Sequence, residues 1–436
     1  MTYYFYNFLL AVASLFLVPF FALKILFTGK YRQSIGPKLG SIDESLKDMR
    51  GEPRIWVHAV SVGEVTAAAP IVAALRQKLP AACLIVSTST ETGQEMAKKI
   101  IAGASAFIYF PLDIPCTIRK VLGVVRPAVF AAMETEIWPN FFKLCSESGA
   151  KLLILNGRIS PRSYKKYMKT KFFWKKILEK VSAVGVISET DAERIRDMGM
   201  EAQRVQVVGN AKYDSLASRA SDPALAVEIS TKLGIAPGSL VFVAGSTHPG
   251  EESIVLNVYR EILANFPELL LVLVPRHIER GVEVQSLISS AGFPDCLKMS
   301  DINAGRSRSG ERVILVDVIG ELFKIYSLAS IVYCGGSLVP RGGQNILEAG
   351  AWGKTVLFGP HMDDFREEKS LLENAGAGIT VANEKELLET ANNLLKNPEM
   401  LREKGESGRA AIMKNRGAAQ KYVEIIMSNL EVKVKG

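Results

Sequence analysis

The chain has 436 residues, 48% of them hydrophobic and 8% aromatic, which excludes a disordered protein and leaves room for two domains, since single cores stop growing near roughly 250–300 residues. Lysines and arginines exceed acids by 8, a balance that fits an anionic partner or a solubilising surface charge. Cys83, Cys116, Cys145, Cys296 and Cys334 form no CxxC pair and are odd in number, which argues against a disulfide framework or a cysteine zinc site and for a reducing compartment.

The stretch YYFYNFLLAVASLFLVPFFAL at 3–23 carries no charge before Lys24. As a helix it is long enough to cross the ~30 Å hydrocarbon core, with Tyr3, Tyr4 and Tyr6 at one interface and Pro19 tolerated. Lys24, Lys30, Arg32 and Lys38 precede the first acid, Asp43, so the positive-inside rule places everything downstream in the cytoplasm. A cleaved signal peptide would want a positive n-region and a small-residue cleavage site, and neither is present. Residues 1–28 are therefore expected to form a single-pass anchor.

Strands then alternate with helices. RIWVHAV at 54–60 reads as a buried strand, SVGE at 61–64 as a turn and 65–78 as an alanine-rich helix. Further strands are expected at 84–87, running into STSTETG; at 129–133, running into Glu134-Thr-Glu136; at 152–155, running into Asn156-Gly-Arg158; and at 183–187. This alternation predicts a parallel, doubly wound sheet whose ligands gather beyond the strands' carboxyl ends. On that rim Glu64 starts a helix after Gly63. An isolated glutamate there would simply complement the helix dipole, but Glu134 and Glu136 share the rim. Converging carboxylates raise one another's proton affinity, which suits a general base acting on a hydroxyl. Asn156 and Arg158 read equally well as turn residues, and His58 as a packed core histidine.

From 158 to 176 the chain carries Arg158, Arg162, Lys165, Lys166, Lys169, Lys171, Lys175 and Lys176 with no acid, interleaved with Tyr164, Tyr167, Phe172, Phe173 and Trp174. That is the composition of a segment lying on an anionic membrane surface; a solvated helix face is the plainer reading, and no nucleic-acid motif accompanies it.

The small, polar run SLASRASDPA at 215–224 reads as an interdomain linker, giving expected domains at 29–215 and 216–436. In the second, strands lead into GSTHPGE at 245–251, PRHIER at 275–280, VIGE at 318–321 and finally a glycine-rich turn. Glycines 335, 336, 342 and 343, followed by the helix-like NILEAGAWG, describe a turn able to accommodate a phosphate. Glu348, one turn from Asn345, suits two ribose hydroxyls. The residues alone thus describe an α/β protein, a double-Rossmann enzyme with facing strand-end loops and a nucleotide on its second half. A UDP-sugar transferase, a sugar-nucleotide epimerase and a non-enzymatic membrane adaptor remain alternatives at this point.

In order along the chain, HAVSVGE (58–64), METEIWPN (133–140), NGRIS (156–160), GNAKYD (209–214), GSTHPGEE (245–252), PRHIER (275–280), GEL (320–322) and GGSLVPRGGQNILE (335–348) resemble the bacterial Kdo (3-deoxy-D-manno-octulosonic acid) transferases, membrane-anchored glycosyltransferases of GT-B fold. The resemblance implies that Glu64 is the catalytic base and that Glu134 and Lys212 assist the transition state. It implies that CMP lies on Arg276 and His277, on Ile319, Gly320 and Glu321, and on Asn345, Ile346, Leu347 and Glu348. Two positions depart from the family pattern, Gln344 and Ala349, where His and Pro are usual. The reaction so implied moves Kdo from CMP-Kdo to lipid IVA or a related lipid A precursor, with inversion, in lipopolysaccharide synthesis at the cytoplasmic face of the inner membrane. No DxD pair occurs, so no carboxylate cage for a divalent metal and no cofactor are expected; Arg276, Lys212 and helix N-termini would neutralise the departing CMP.

Overall fold

Seven short apolar strands pair in parallel in the first half: β1 (Arg54–His58), β2 (Cys83–Thr88), β3 (Ala106–Tyr109), β4 (Val129–Met133), β5 (Lys151–Gly157), β6 (Val181–Val186) and β7 (Val205–Val207), in the order β3-β2-β1-β4-β5-β6-β7. β1, β2 and β4 are buried at every position, as a sheet covered by helices on both faces requires. On one face Trp56 packs edge-on to Phe130 and Phe141 at 5.3 and 5.2 Å and donates its indole N–H to the Ser87 hydroxyl. A side chain buried like this contributes about 1.5–3 kcal/mol.

The second half repeats the plan with β8 (Val241–Thr247), β9 (Leu270–Pro275), β10 (Leu297–Lys298), β11 (Val313–Leu315), β12 (Ile331–Cys334), β13 (Val356–Phe358) and β14 (Gly378–Thr380), all parallel, in the order β10-β11-β9-β8-β12-β13-β14. The computed structural model describes residues 2–28 and 32–430 and divides into two units, Met1–Ser215 with Asn415–Gly436, and Leu216–Lys414.

The boundary between the units falls at 215/216, inside the run SLASRASDPA, and two expectations are corrected. The run is helical and not an extended linker: the helix Lys212–Ala220 continues through the boundary, and Asp222 caps the next helix, Pro223–Leu233. Its small residues are there because Leu216, Ala217 and Ala220 are buried. The second domain also does not run to 436, because the helix Ala418–Asn429 packs back on the first unit. Asp214 accepts the N–H groups of Gly417 and Ala419, Tyr422 donates its hydroxyl to the Gly209 carbonyl at 2.7 Å, and Tyr422 lies so close to Gly185 that a Cβ there would meet its ring at 2.6 Å.

The expected anchor forms the helix Thr2–Thr28. Among the described residues, no helix is long and apolar enough to cross a membrane. Lys30 and the side chain of Lys24 lie outside what is described. The first two turns of this helix contact the rest of the first unit. Tyr6 donates its hydroxyl to buried Asp113 at 2.9 Å, Asn7 pairs with Asn140, and the Lys143 ammonium sits over the Tyr3 ring. Asp113 attracts Tyr6 because it already accepts two backbone N–H groups, from Asn140 and Phe141, and has capacity for another donor. Of the expected interfacial tyrosines only Tyr4 is freely exposed.

The basic, aromatic segment folds as two helices, Pro161–Lys169 and Lys171–Leu178. Tyr164, Tyr167, Phe173 and Trp174 turn inward onto the core and only Phe172 is exposed. The segment therefore presents mainly cations outward, with its rings used for packing.

Candidate active site

The strand order of the first sheet reverses between β1 and β4, the place where a doubly wound sheet opens a crevice. Glu64 lies in the first turn of the helix Val62–Lys78, which follows β1, and Glu134 directly follows β4. Glu64 is 7% exposed. Its Oε2 accepts the Val60 N–H at 2.8 Å and its Oε1 the Ser61 hydroxyl at 3.0 Å. Burial, reinforced by the charges of Glu134 and Glu136, outweighs those bonds and pushes its pKa up to about 7. A carboxylate so poised both accepts a proton readily and is available unprotonated near neutral pH.

Glu134 is held in the left-handed region at φ 55°, its N–H donated to the Leu155 carbonyl. A non-glycine residue there is strained, and such strain gathers at functional sites. Burial raises the Glu134 pKa while Arg158 and Lys212 oppose the rise; Glu136 is raised by burial and then by Glu134. Lys212 is positioned by the loop before it. Asn156, also at φ 55° and almost fully buried, accepts the Ala211 N–H at 2.9 Å, and Asn210 accepts the Lys212 N–H at 3.0 Å. The structure therefore brings Glu64, Glu134, Glu136 and Lys212 to one rim. It adds Asn156, which anchors the Lys212 loop, and Arg158, which offsets Glu134; the signal for both was a polar NGR run ending a buried strand. His58 is a core residue, stacked on Phe110 at 3.9 Å with Nδ1 2.9 Å from the Ser87 hydroxyl, and burial pushes its pKa down to about 3.

The second unit carries a separate constellation beyond its own strand ends. Arg276 and His277 follow β9, and the His277 ring lies edge-on to His248 at 5.7 Å. Proximity to His277, Arg341 and Arg276 adds to burial in lowering the His248 pKa, against the pull of Glu251. Of the 319–321 segment, Ile319 is 82% exposed and Gly320 sits at φ 95°, while the Glu321 carboxylate is committed to Lys232 at 3.1 Å and Lys324 at 3.5 Å. Burial acts upward on Glu321, but these lysines hold its pKa below the usual value. What that segment offers a ligand is thus chiefly backbone.

Asn345 accepts the Leu347 N–H and donates to Glu348 Oε1 at 3.2 Å. Ile346 and Leu347 are buried and start a helix of only five residues, Leu347–Ala351, shorter than the sequence pattern predicts because Trp352 and Gly353 end it. Burial raises the Glu348 pKa and Arg219 opposes the rise. Arg219, which sequence reasoning passed over inside the supposed linker, lies 3.7 Å from the Phe323 ring centroid and supplies the counter-charge to Glu348. Among the described residues, no group of three His, Cys, Asp or Glu side chains is arranged to hold a metal.

Two parallel, doubly wound sheets with ligand-type loops beyond their strand ends give the α/β plan of a GT-B-like protein. Solved structures agree at the level of fold. The UDP-GlcNAc 2-epimerase from Neisseria meningitidis, bound to UDP-GlcNAc, covers 86% of this chain and 100% of its own at 15% identity and a TM-score of 0.61. Another UDP-N-acetylglucosamine 2-epimerase covers 89% and 98% at 13% identity and a TM-score of 0.62. Within the class the sequence is more specific. A family profile described as 3-deoxy-D-manno-octulosonic-acid transferase (kdotransferase) matches residues 33–215. The 3-deoxy-D-manno-octulosonic acid transferase of Haemophilus influenzae is 32% identical over 430 residues, 98% of this chain and 99% of that protein. The transferase of the same name from Chlamydophila psittaci is 30% identical over 375 residues, 85% and 83% respectively. The chain belongs to the 3-deoxy-D-manno-octulosonic acid transferase family and is a glycosyltransferase.

Proposed function

We propose that the protein transfers Kdo from CMP-Kdo to lipid IVA, or a related lipid A precursor, by a single inverting displacement. Glu64 takes the proton from an acceptor hydroxyl, that oxygen bonds to the anomeric carbon of Kdo, and the bond from that carbon to the CMP phosphate oxygen breaks. The observation that carries this reading is the Glu64 carboxylate, buried at the strand-order reversal with its pKa near 7. Glu134 and Lys212 stabilise charge that develops around the reacting centre. CMP is held by Arg276 and His277, by the backbone of 319–321 and by 345–348, with Glu348 and Asn345 on the ribose. Side-chain cations meet the charge of the departing monophosphate, so the reaction needs no divalent metal.

Membership of the family supports work at a membrane, which we take to be the cytoplasmic face of the inner membrane. The contacts of Tyr6 and Asn7 with the first unit favour an amino-terminal helix that associates with the membrane alongside that unit over one that carries residues 3–7 to the far side. The outward lysines of 161–178 would add attraction to anionic lipid.

The test is mass spectrometry of the product formed from lipid IVA and CMP-Kdo in detergent, with a chelator present and absent. A lipid heavier by one or more Kdo residues, formed equally in both, is the expected result. No added Kdo would overturn the reaction; chelator-dependent addition would overturn the metal-free part alone.

A further inference from the structure

The motif GSTHPGEE is left without a role by the chemistry above. It lies where the strand order of the second sheet reverses, between β8 and β12. A doubly wound fold commonly offers backbone N–H groups to a ligand phosphate at this position. In this chain those groups are already occupied. Glu251 is fully buried. Its Oε1 accepts the Tyr333 hydroxyl at 2.7 Å and the N–H groups of Ser337 and Leu338, each at 3.0 Å. Its Oε2 accepts the N–H groups of Gly336 at 2.7 Å and His248 at 2.9 Å. All five partners are donors, as an acceptor-only carboxylate requires. Three successive backbone N–H groups form an anion nest, and the chain's own side chain fills it.

The glycine-rich turn that the sequence marks as a phosphate cradle is therefore closed to phosphate at 336–338, and its geometry is set from within. Gly336 accepts the Gly343 N–H at 2.8 Å, the first link in the loop that delivers Asn345 and Glu348. Gly336 itself sits at φ 68°, and a Cβ there would come within 3.2 Å of the His248 ring. His248, whose N–H Glu251 also holds, lies beside His277 and 3.5 Å from the Gln344 amide nitrogen. One carboxylate thus fixes two arms, one bearing His248 and the other leading to Glu348.

We propose that Glu251 is a positioning residue for donor binding: it fills the anion nest of the glycine turn and holds the His248 and 345–348 arms in the geometry that receives the nucleotide sugar. This rests on the reading of the second unit as the donor site. The donor phosphate then falls to side-chain cations such as Arg276.

The test uses the full chain. Glu251→Ala empties the nest and leaves four buried N–H groups unpaired, so the Kd for CMP and the KM for CMP-Kdo should rise at least roughly tenfold while kcat changes little. Formate is small enough to enter the vacated nest; it should restore both constants and raise the Tm of this variant but not of the wild type. Glu251→Gln fills the space, yet each carboxylate oxygen faces at least two donors, so either amide orientation sets an NH2 against them. This variant should also lose CMP affinity, and formate should not rescue it. Wild-type CMP affinity in Glu251→Gln, or a loss in folded Glu251→Ala that formate does not reverse, overturns the proposal; if Glu251→Ala does not fold, the Gln variant decides. Should the wild type itself fail to bind CMP, the donor reading falls, while the formate-dependent Tm of Glu251→Ala still tests the nest.

Discussion

Glu64→Gln separates the proposed base from a charge that the fold disfavours. The rise in the Glu64 pKa from 4.5 to about 7 corresponds to about 3 kcal/mol of opposition to ionisation in the folded protein. Between those values the folded state binds more protons than the unfolded one, so this contribution to stability is intact below pH 4.5 and is lost as pH rises through 7. Glutamine never ionises, and it forfeits part of the bonds to Val60 and Ser61 by an amount that hardly varies with pH. The variant's stability relative to wild type should therefore be better at pH 8 than at pH 4.5 by about 3 kcal/mol, whatever that constant cost. Urea melts of both proteins at the two pH values measure it. Turnover should meanwhile fall by roughly 10²–10⁴-fold. A stability difference that does not change with pH would refute the electrostatic account, and near-normal turnover in a folded variant would refute the assignment of the base, leaving Glu134 or Glu136 to test next.

Ser61→Ala removes a bond that favours the ionised form of Glu64, so the acid limb of the pH–rate profile should move upward by up to about one unit; a downward or absent shift counts against Glu64 as the titrating group. Asn156→Ala frees the loop that carries Lys212 and should lower kcat while calorimetric CMP affinity stays within about twofold; equal loss of both would make Asn156 a general stability residue. Glu348→Gln should weaken CMP binding about tenfold, because a neutral amide is the poorer acceptor for ribose hydroxyls; unchanged binding would move the ribose elsewhere. Replacing Lys165, Lys166, Lys169 and Lys171 with Gln should weaken binding to anionic vesicles by about 1 kcal/mol per cation, less in high salt; salt-independent binding would leave the segment a solvated face.

What the sequence made legible was local. Strand periodicity, the polar runs that end each strand and the position of Glu64 at a helix start are all properties of a few adjacent residues. The structure adds what depends on distant pairing. Glu251 meets Gly336, Ser337 and Leu338 across 85 to 87 positions, so no window of sequence shows that the glycine turn is already filled. SLASRASDPA has the composition of a linker, and only the burial of Leu216 and Ala217 shows it to be a helix face. The aromatic residues of 164–174 look interfacial beside so many lysines, yet the core they pack on is assembled from strands more than a hundred residues wide in sequence. The amino-terminal tyrosines look interfacial because Asp113, which takes the Tyr6 hydroxyl, gives no local sign of being buried.

The return of the helix Ala418–Asn429 to the first unit sets an order of manufacture. The second unit is continuous in the chain, whereas the first is complete only when its last helix has been made. Until then the face that receives Ala419, Tyr422, Val423 and Ile426 stays open, and Asp214, two residues from Lys212 in the chain, lacks the two N–H groups it will accept. A growing polypeptide therefore finishes the second unit before the first. A polypeptide broken off before Ala418 would carry all of the second unit and an unfinished first, so the first unit waits for a segment made after the whole of the second.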